Sequence, residues 1–474
     1  MKYMACLVML LTAFAACSPD SDASDPGSIT NKTYTLHFNL SPVSGSSASS
    51  RAETYTAGSP NTWEDGSKEE NMKSWTVVFV KSSDGTVAKV VKQPSVAEGK
   101  DKKDDVTVTG LEAGTTYTVY SFANISDADL GTITEGSSSP NFDSKSFAVN
   151  GNDWNIANGI PMSNKQEVII GSNGQPNVKD LYVVRMLSKI TLKFRNMTGK
   201  DITVNEVSIS DITSNPATGT ENIMLLPKTS VSSADVAQAP NLVENAASGE
   251  FTHTISRGLT VANNTTYDTD NSRSVSFYVN ESQAGNVYPY FVVTLKTSVG
   301  SQRYFMYTDW NKIARNDHHV LKLALSDYKL RLKIEDFGSI GSTPSLKDDG
   351  KQLNLIFHDL EEFHIVPSVT KYSDESSSVS FTNLEWTRLS ESETGAESKA
   401  FSTIPSIVSS KDRIEAETKG ELGKKIGPII YQLSVKVNDG TTTAPTLVYR
   451  VAITQDLTWY SARRHNGAFW ICKQ

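Results

Sequence analysis

The chain runs to 474 residues, 38% of them hydrophobic and 21% charged, with a formal net charge of −8. At about 150 residues per domain, that length exceeds one core and points to about three. The negative balance excludes the basic footprint of a nucleic-acid binder, and the wealth of Ser, Thr, Asn, Asp and Gly suits short strands and many turns rather than helices.

Residues 1–16 have the pattern of an export signal peptide and stand outside the fold. Lys2 supplies the positive start, and the apolar run from Met4 to Ala16 is too short to span a bilayer. It ends in Phe14-Ala15-Ala16-Cys17, small residues before a cysteine as in a lipoprotein cleavage box, with the bulky Phe14 as a departure. Cys17 is therefore the expected lipidation site and 17–32 the lipidated tether; a generic signal cut after Ala16 is the alternative. The acidic stretch from Ser18 to Asp25 is similar to the tag that sends lipoproteins of some Gram-negative anaerobes to the outer face of the outer membrane. Read instead as a Ca²⁺ loop, Asp20, Asp22 and Asp25 lack the Gly and the distal Glu of an EF-hand. With Cys6 in the signal and Cys17 lipidated, Cys472 is the one cysteine left, so no intrachain disulfide is available and core packing must hold the domains.

From Thr33 to Leu40 the sequence alternates, with Tyr34, Leu36, Phe38 and Leu40 on one face, the mark of a half-buried strand. Ser44–Ala52 follows, a run of small residues holding one basic residue, Arg51, and reads as an exposed, protease-accessible linker. Strands then follow at Trp75–Val80, Val87–Val91, Val106–Val108 and Tyr117–Ala123, and Pro161 can sit only at an edge or turn. These make an N-terminal domain over 33–180. A second domain, 181–335, opens with Tyr182–Met186 and continues with Ile190, Leu192 and Phe194, Val275–Val279, Tyr290–Leu295, Arg303–Tyr307 and Val320–Leu325, around an irregular excursion from Pro216 to Ser248. A third sandwich-like set takes in Leu330, Leu332 and Ile334, Leu353–Phe357, Leu433, Val435 and Val437, and Tyr449, Val451 and Ile453, and the Gly/Ser/Pro run from Asp336 marks the boundary of an extra C-terminal domain and tail, 336–474. No long stretch keeps helical spacing. The expected class is all-β, tandem Greek-key sandwiches.

The stretch Val108–Asn124, where a Leu-x-x-Gly turn at Leu111–Gly114 feeds a strand ending in Ala123-Asn124, resembles the FimA-like fimbrillin family. Ile160–Asn164 with Val184–Ile190 is similar to the start of that family's second domain, and Ile313–Asn316 to its close. The resemblance implies two transthyretin-like sandwiches behind a lipidated leader, carriage to the cell surface on the lipid, and a cut by a trypsin-like protease after an arginine. On this chain the matching bond is Arg51-Ala52. Loss of the strand then opens a groove that a neighbouring subunit's strand fills, so the implied partners are other fimbrial subunits, the outer membrane before maturation, and a host or bacterial surface ligand. If Tyr34, Leu36, Phe38 and Leu40 sit in the core, their removal costs roughly 6 to 12 kcal/mol at about 1.5 to 3 kcal/mol each, comparable to a whole domain's stability. Without cleavage, the same segment is an ordinary edge strand.

The C-terminal end departs from the two-domain pattern. Its final stretch, from Leu457 to Gln474, is not a clean alternating strand, which favours a tip or accessory subunit over a stalk subunit or an anchor. Catalytic and metal chemistry is not in view, and no cofactor is expected. His358 and His364 are six apart, not the i, i+4 of a zinc helix, and read as a solvated strand and turn; His318 and His319 point to opposite faces of a strand. Glu361 and Glu362 are adjacent and diverge on a strand, unlike glycosidase carboxylates. There is no Gly-x-Ser-x-Gly elbow and no phosphate-binding loop. The alternative from another class is a surface glycan-binding lipoprotein, with Trp459, Tyr460, Phe469 and Trp470 as a stacking platform; terminal aromatics also close cores.

Overall fold

A computed structural model describes residues 33–42, 47–49, 70–97, 103–147, 159–213, 223–232, 239–265, 267, 274–285, 288–298, 304–308, 310–336, 344–441, 444–458, 460–465 and 468–473. The expected signal peptide, Cys17, Asp20, Asp22 and Asp25, the Arg51-Ala52 bond, most of the Asp336–Pro344 run and Trp459 lie outside them. The fold is all-β.

The first part of the chain supplies β1 (Thr33–Pro42), β2 (Ser47–Ser49), β3 (Trp75–Lys81), β4 (Val87–Gln93), β5 (Asp104–Glu112), β6 (Thr116–Ala123), β7 (Ser146–Phe147), β8 (Met162–Ile169) and β9 (Asp180–Arg185). Seven of these form one sheet in the order β4-β3-β6-β8-β9-β1-β5. Its two ends meet, since a Cβ on Gly110 of β5 would stand 3.0 Å from the Lys89 side chain of β4, so the sheet curls around a core that holds Phe79, Tyr117, Val119 and Val106. The other face is also covered. Val78, Val80, Tyr120 and Phe122 pack with Phe142, Met186, Leu187, Leu225 and Tyr278, which is why β3 is buried at every position from Trp75 to Val80 and reads as a continuous rather than an alternating apolar run.

The next part contributes β10 (Leu187–Met197), β11 (Ile202–Thr213), β12 (Ile223–Met224), β13 (Ser248–Val261), β14 (Ser274–Asn280), β15 (Ser282–Gln283), β16 (Val292–Thr297), β17 (Tyr304–Tyr307), β18 (Lys312–Ile313) and β19 (His318–Ser326). Two sheets, β14-β10-β19-β2 and β13-β11-β16-β17, share a core that includes Ile190, Phe194, Val207, Phe277, Leu295 and Leu323. In chain order there follow β20 (Tyr328–Asp336), β21 (Ser345–Asp348), β22 (Gln352–Phe357), β23 (Glu362–Lys371), β24 (Ser378–Val379), β25 (Phe381–Glu391), β26 (Phe401–Val408), β27 (Arg413–Thr418), β28 (Lys425–Val437), β29 (Thr446–Asp456), β30 (Tyr460–His465) and β31 (Ala468–Lys473). The sheets β20-β23-β27-β26 and β21-β22-β29-β28-β25 close on Phe357, Phe363, Ile365, Leu433 and Val451. The last two strands pair with each other alone among the described residues.

Both expected boundaries move. The strand expected to open the second domain is β9, and it hydrogen-bonds to β8 and β1 with Leu181 and Val183 in the first core; Met186 and Leu187 pack in the layer covering that sheet's other face, and the second core is entered at Ile190. β20 likewise pairs with β23 from Tyr328↔Lys371 to Asp336↔Phe363, so the third unit starts at Tyr328 and the Gly/Ser/Pro run is a connection inside it. Turn residues mark where a strand stops, not which core its side chains enter.

Candidate functional site

The segment Thr33–Leu40 is a strand, and it is not at an edge. β1 pairs antiparallel with β5 from Thr33↔Glu112 to Leu40↔Asp104 and parallel with β9 from Asn39↔Asp180 to Pro42↔Val183. Leu36, Phe38 and Leu40 are 5%, 2% and 0% exposed, whereas Tyr34 is half-buried and lies flat against Gly174, where a Cβ would come within 2.3 Å of its ring. Phe38 meets Phe79 with ring centroids 5.6 Å apart. On the outward side His37 Nδ1 bonds Thr107 Oγ1 at 3.0 Å and Asn39 Nδ2 donates to Asp180 Oδ1 at 2.8 Å. Without β1, β5 and β9 would lose their common neighbour, and Phe79, Val106, Val108 and Leu181 would line an open slot with unpaired backbone groups.

Beyond β1 the chain crosses to the second core. β2 pairs in parallel with the start of β19, Ser47↔His318 to Ser49↔Val320, and ends two residues before Arg51. The segment Thr33–Ser49 therefore bridges two units, first as an interior strand and then as a short edge strand. His318 donates or accepts at Thr191 Oγ1, 3.0 Å away, and His319 stacks on Trp310 at 4.5 Å. Burial pushes His318 down to about 4 and His319 to about 3, so both are neutral at pH 7.

Motif residues of the fimbrillin resemblance converge at the junction of the first two units. Asn124, held in the left-handed region at φ 56°, accepts from Lys73 N at 2.6 Å and donates to Asn71 O and Ile160 O at 2.9 and 2.8 Å. Asn164 clasps Val231 through both its main-chain groups, at 2.8 and 3.0 Å. Arg185 donates to Asn316 Oδ1 and to Glu70 O, each at 3.1 Å. Fully buried Arg315 is paired with Glu281 and donates to Met224 O at 2.8 Å and Leu225 O at 3.2 Å, tying the irregular excursion to the sheet. Asn316, like Asn124, is left-handed, at φ 63°, a conformation Asn tolerates because its side chain bonds locally. The sequence did not single out Glu70, 3% exposed, whose carboxylate accepts from Lys189 Nζ at 2.8 Å and Tyr278 OH at 2.7 Å. Its one signal is an acidic residue just upstream of a strand, too common to notice.

Elsewhere, His364 is buried rather than solvated, with Nε2 3.2 Å from Glu362 Oε1, because β23 turns it toward Glu335 and Glu415. His358, in the turn after β22, bonds Ser345 Oγ at 3.1 Å instead. Among the described residues no group of three His, Cys, Asp or Glu is placed to hold a metal ion. Tyr460, Phe469 and Trp470 lie on the terminal hairpin β30–β31. A cleft of about 1470 Å³ opens between the second and third units, lined by Tyr304, Tyr307, Tyr328, Tyr372, Tyr449 and Arg331 among others. At its back the Arg450 guanidinium lies over the rings of Tyr290 and Tyr307, at 4.5 and 4.8 Å.

Residues 35–225 match the family model of the major fimbrial subunit protein, FimA. The resemblance to FimA-like fimbrillins thus holds over the segment from β1 through the first unit and into the second. No curated protein matches the chain. Among solved structures, a chain provisionally described as a cell adhesion protein from Parabacteroides distasonis is 13% identical, over 62% of this chain and 88% of that one, with a TM-score of 0.42. The tip fimbrial protein Mfa3 from Porphyromonas gingivalis, with C-terminal truncation, is 12% identical over 72% of this chain and all of that one, at 0.35. A fimbrial assembly protein from Parabacteroides distasonis is 11% identical over the same shares, also at 0.35. Likenesses at this level decide nothing about what this chain does.

Proposed function

We propose that this chain is an adhesive subunit of a cell-surface fimbria, exported as a lipoprotein on Cys17, cut after Arg51, and joined to its neighbours by donor-strand exchange. The observation that carries the reading is β1: an interior strand of the first sheet that is followed, nine residues after Pro42, by a basic residue in a run of small ones. Its three core side chains contribute roughly 5 to 9 kcal/mol at about 1.5 to 3 kcal/mol each, an upper figure because the unfolded chain is partly collapsed. A folded unit that lost this strand would be left with a slot complementary to a β-strand, and a second protomer's strand would restore both the apolar burial and the ladder hydrogen bonds. A role in scaffolding rather than catalysis follows from the same reading.

Within that reading we place the chain at the tip or as an accessory subunit. The third unit, Tyr328 onward, adds a pair of sheets beyond the FimA-matching segment, and among the described residues it takes no strand from the leader. The ligand such a tip would meet is a host or bacterial surface. Treating the purified precursor with a trypsin-like protease tests the proposal: one early cut between Arg51 and Ala52, then oligomers, is expected. A surface protein that keeps residues 33–40 and stays monomeric would sink it. The second reading, a glycan-binding surface lipoprotein, is favoured by the tyrosine-lined cleft between the second and third units; retardation of the uncut chain in polysaccharide gels would select it.

A further inference from the structure

The leader is held at two places, by β1 in the first sheet and by β2 on β19. Downstream of the Arg51-Ala52 bond, the next described contact is Glu70, which enters the junction of the two units just ahead of β3. There its carboxylate lies between Lys189 of β10 and Tyr278 of β14, both residues of the second unit, and its carbonyl accepts from Arg185 at the end of β9. Lys189 is 8% exposed and Arg185 7%, so the ion pair is shielded from salt and water and its loss would leave a buried ammonium without its carboxylate. Asn124 closes the same corner by holding Asn71 and Lys73.

We propose that Glu70 is the anchor that holds the entry to β3 in place once the chain has been clipped upstream. This rests on the maturation reading above and concerns what survives it. After the cut and departure of the leader, the first unit has lost β1, and the Glu70–Lys189–Tyr278 cluster, together with Asn124's bonds to Asn71 and Lys73, keeps fraying from entering β3. Since β3 lies between β4 and β6 with both faces buried, its loss would spread to both cores. The anchor therefore confines the consequences of clipping to the β1 slot and the β19 edge, so that an open, strand-ready subunit persists until a partner arrives. Glu70 is a positioning residue: it touches no incoming strand.

The test uses the full chain with residues 50–53 replaced by the recognition site of a sequence-specific protease, which makes the cut independent of Arg51. Hydrogen exchange over 75–81 is followed before and after cutting, in the parent, in Glu70→Ala, and in Glu70→Gln, which keeps a carbonyl acceptor but removes the charge facing Lys189. Exchange in uncut Glu70→Ala should rise above the parent's, since the buried Lys189 ammonium loses a partner, and cutting should raise it about tenfold further or more, with a new tryptic cut after Lys73; Glu70→Gln should fall between. Equal exchange in cut and uncut variants, or cut variants that match the cut parent, overturns the proposal. Should Glu70→Ala not fold, Glu70→Gln decides by the same comparison. A cut parent that stays monomeric with β3 protected would sink donor-strand assembly and leave the anchor standing.

Discussion

The first and third units are built from the same materials and differ in how their chain is spent. The third draws every described strand of its two sheets from between Tyr328 and Asp456. The first closes its sheet with β1, a strand lying on the far side of the expected cleavage linker from the rest of its partners. Among the described residues the third unit is built from one stretch of chain, whereas the first needs β1 between β9 and β5 to keep its sheet continuous. Under the proposed maturation, the stability that β1 supplies would pass to a neighbouring chain's strand.

The largest effect expected from this contrast is removal of the leader itself. Clipping and stripping residues 33–51 should lower the unfolding free energy of the first unit by roughly 5 to 9 kcal/mol and leave the third unit's denaturant midpoint where it was, as read by site-placed fluorophores in each. Next, Phe38→Ala should cost the intact precursor about 3 to 5 kcal/mol and cost the stripped protein nothing, whereas Leu433→Ala in the third core should cost about 2 to 5 kcal/mol in both. Equal losses from Phe38→Ala before and after stripping would break the comparison.

A smaller effect comes from acid. His318 and His319 sit where β2 joins β19, with folded values depressed to about 4 and about 3 against an ordinary 6.5. Depressed folded values mean that their contribution is fully present above about pH 6.5 and is lost as pH falls toward 4 and then 3, at up to about 1.4 kcal/mol per pH unit for each histidine. His319→Gln should flatten the acid limb of a pH–stability curve for the second unit and leave that of the third unchanged. The smallest effect is at the other end of the chain. Because β30–β31 pairs only with itself among the described residues, and an isolated hairpin is marginal in water, truncation after Thr458 should not move the third unit's melting transition. If truncation also leaves incorporation into fimbriae intact, the tip placement is sharpened; if it abolishes growth beyond this subunit, the stalk placement replaces it.

Strand positions were largely legible because alternation and turn residues are local. Thr33–Leu40, Trp75–Val80, Tyr117–Ala123 and Leu353–Phe357 all recur within β1, β3, β6 and β22. The junction was not legible: Glu70 and Lys189 are 119 residues apart, and no local pattern says that a solvated-looking glutamate and lysine will be buried together. His364 was misread as solvated for the same reason, since Glu335 and Glu415, which flank it, arrive from other strands.

The amino-acid sequence by itself determined the all-β class, the alternating face of β1 and the basic residue after it, because side-chain period and turn chemistry are written within a few neighbouring residues. Only the tertiary structure decided that β1 is an interior strand, that β9 and β20 belong to the units on the other side of their expected boundaries, and that Arg315, Asn316 and Glu70 meet at one junction. Those facts depend on which distant segments share hydrogen bonds and a core, and that is settled by the packing of whole sheets.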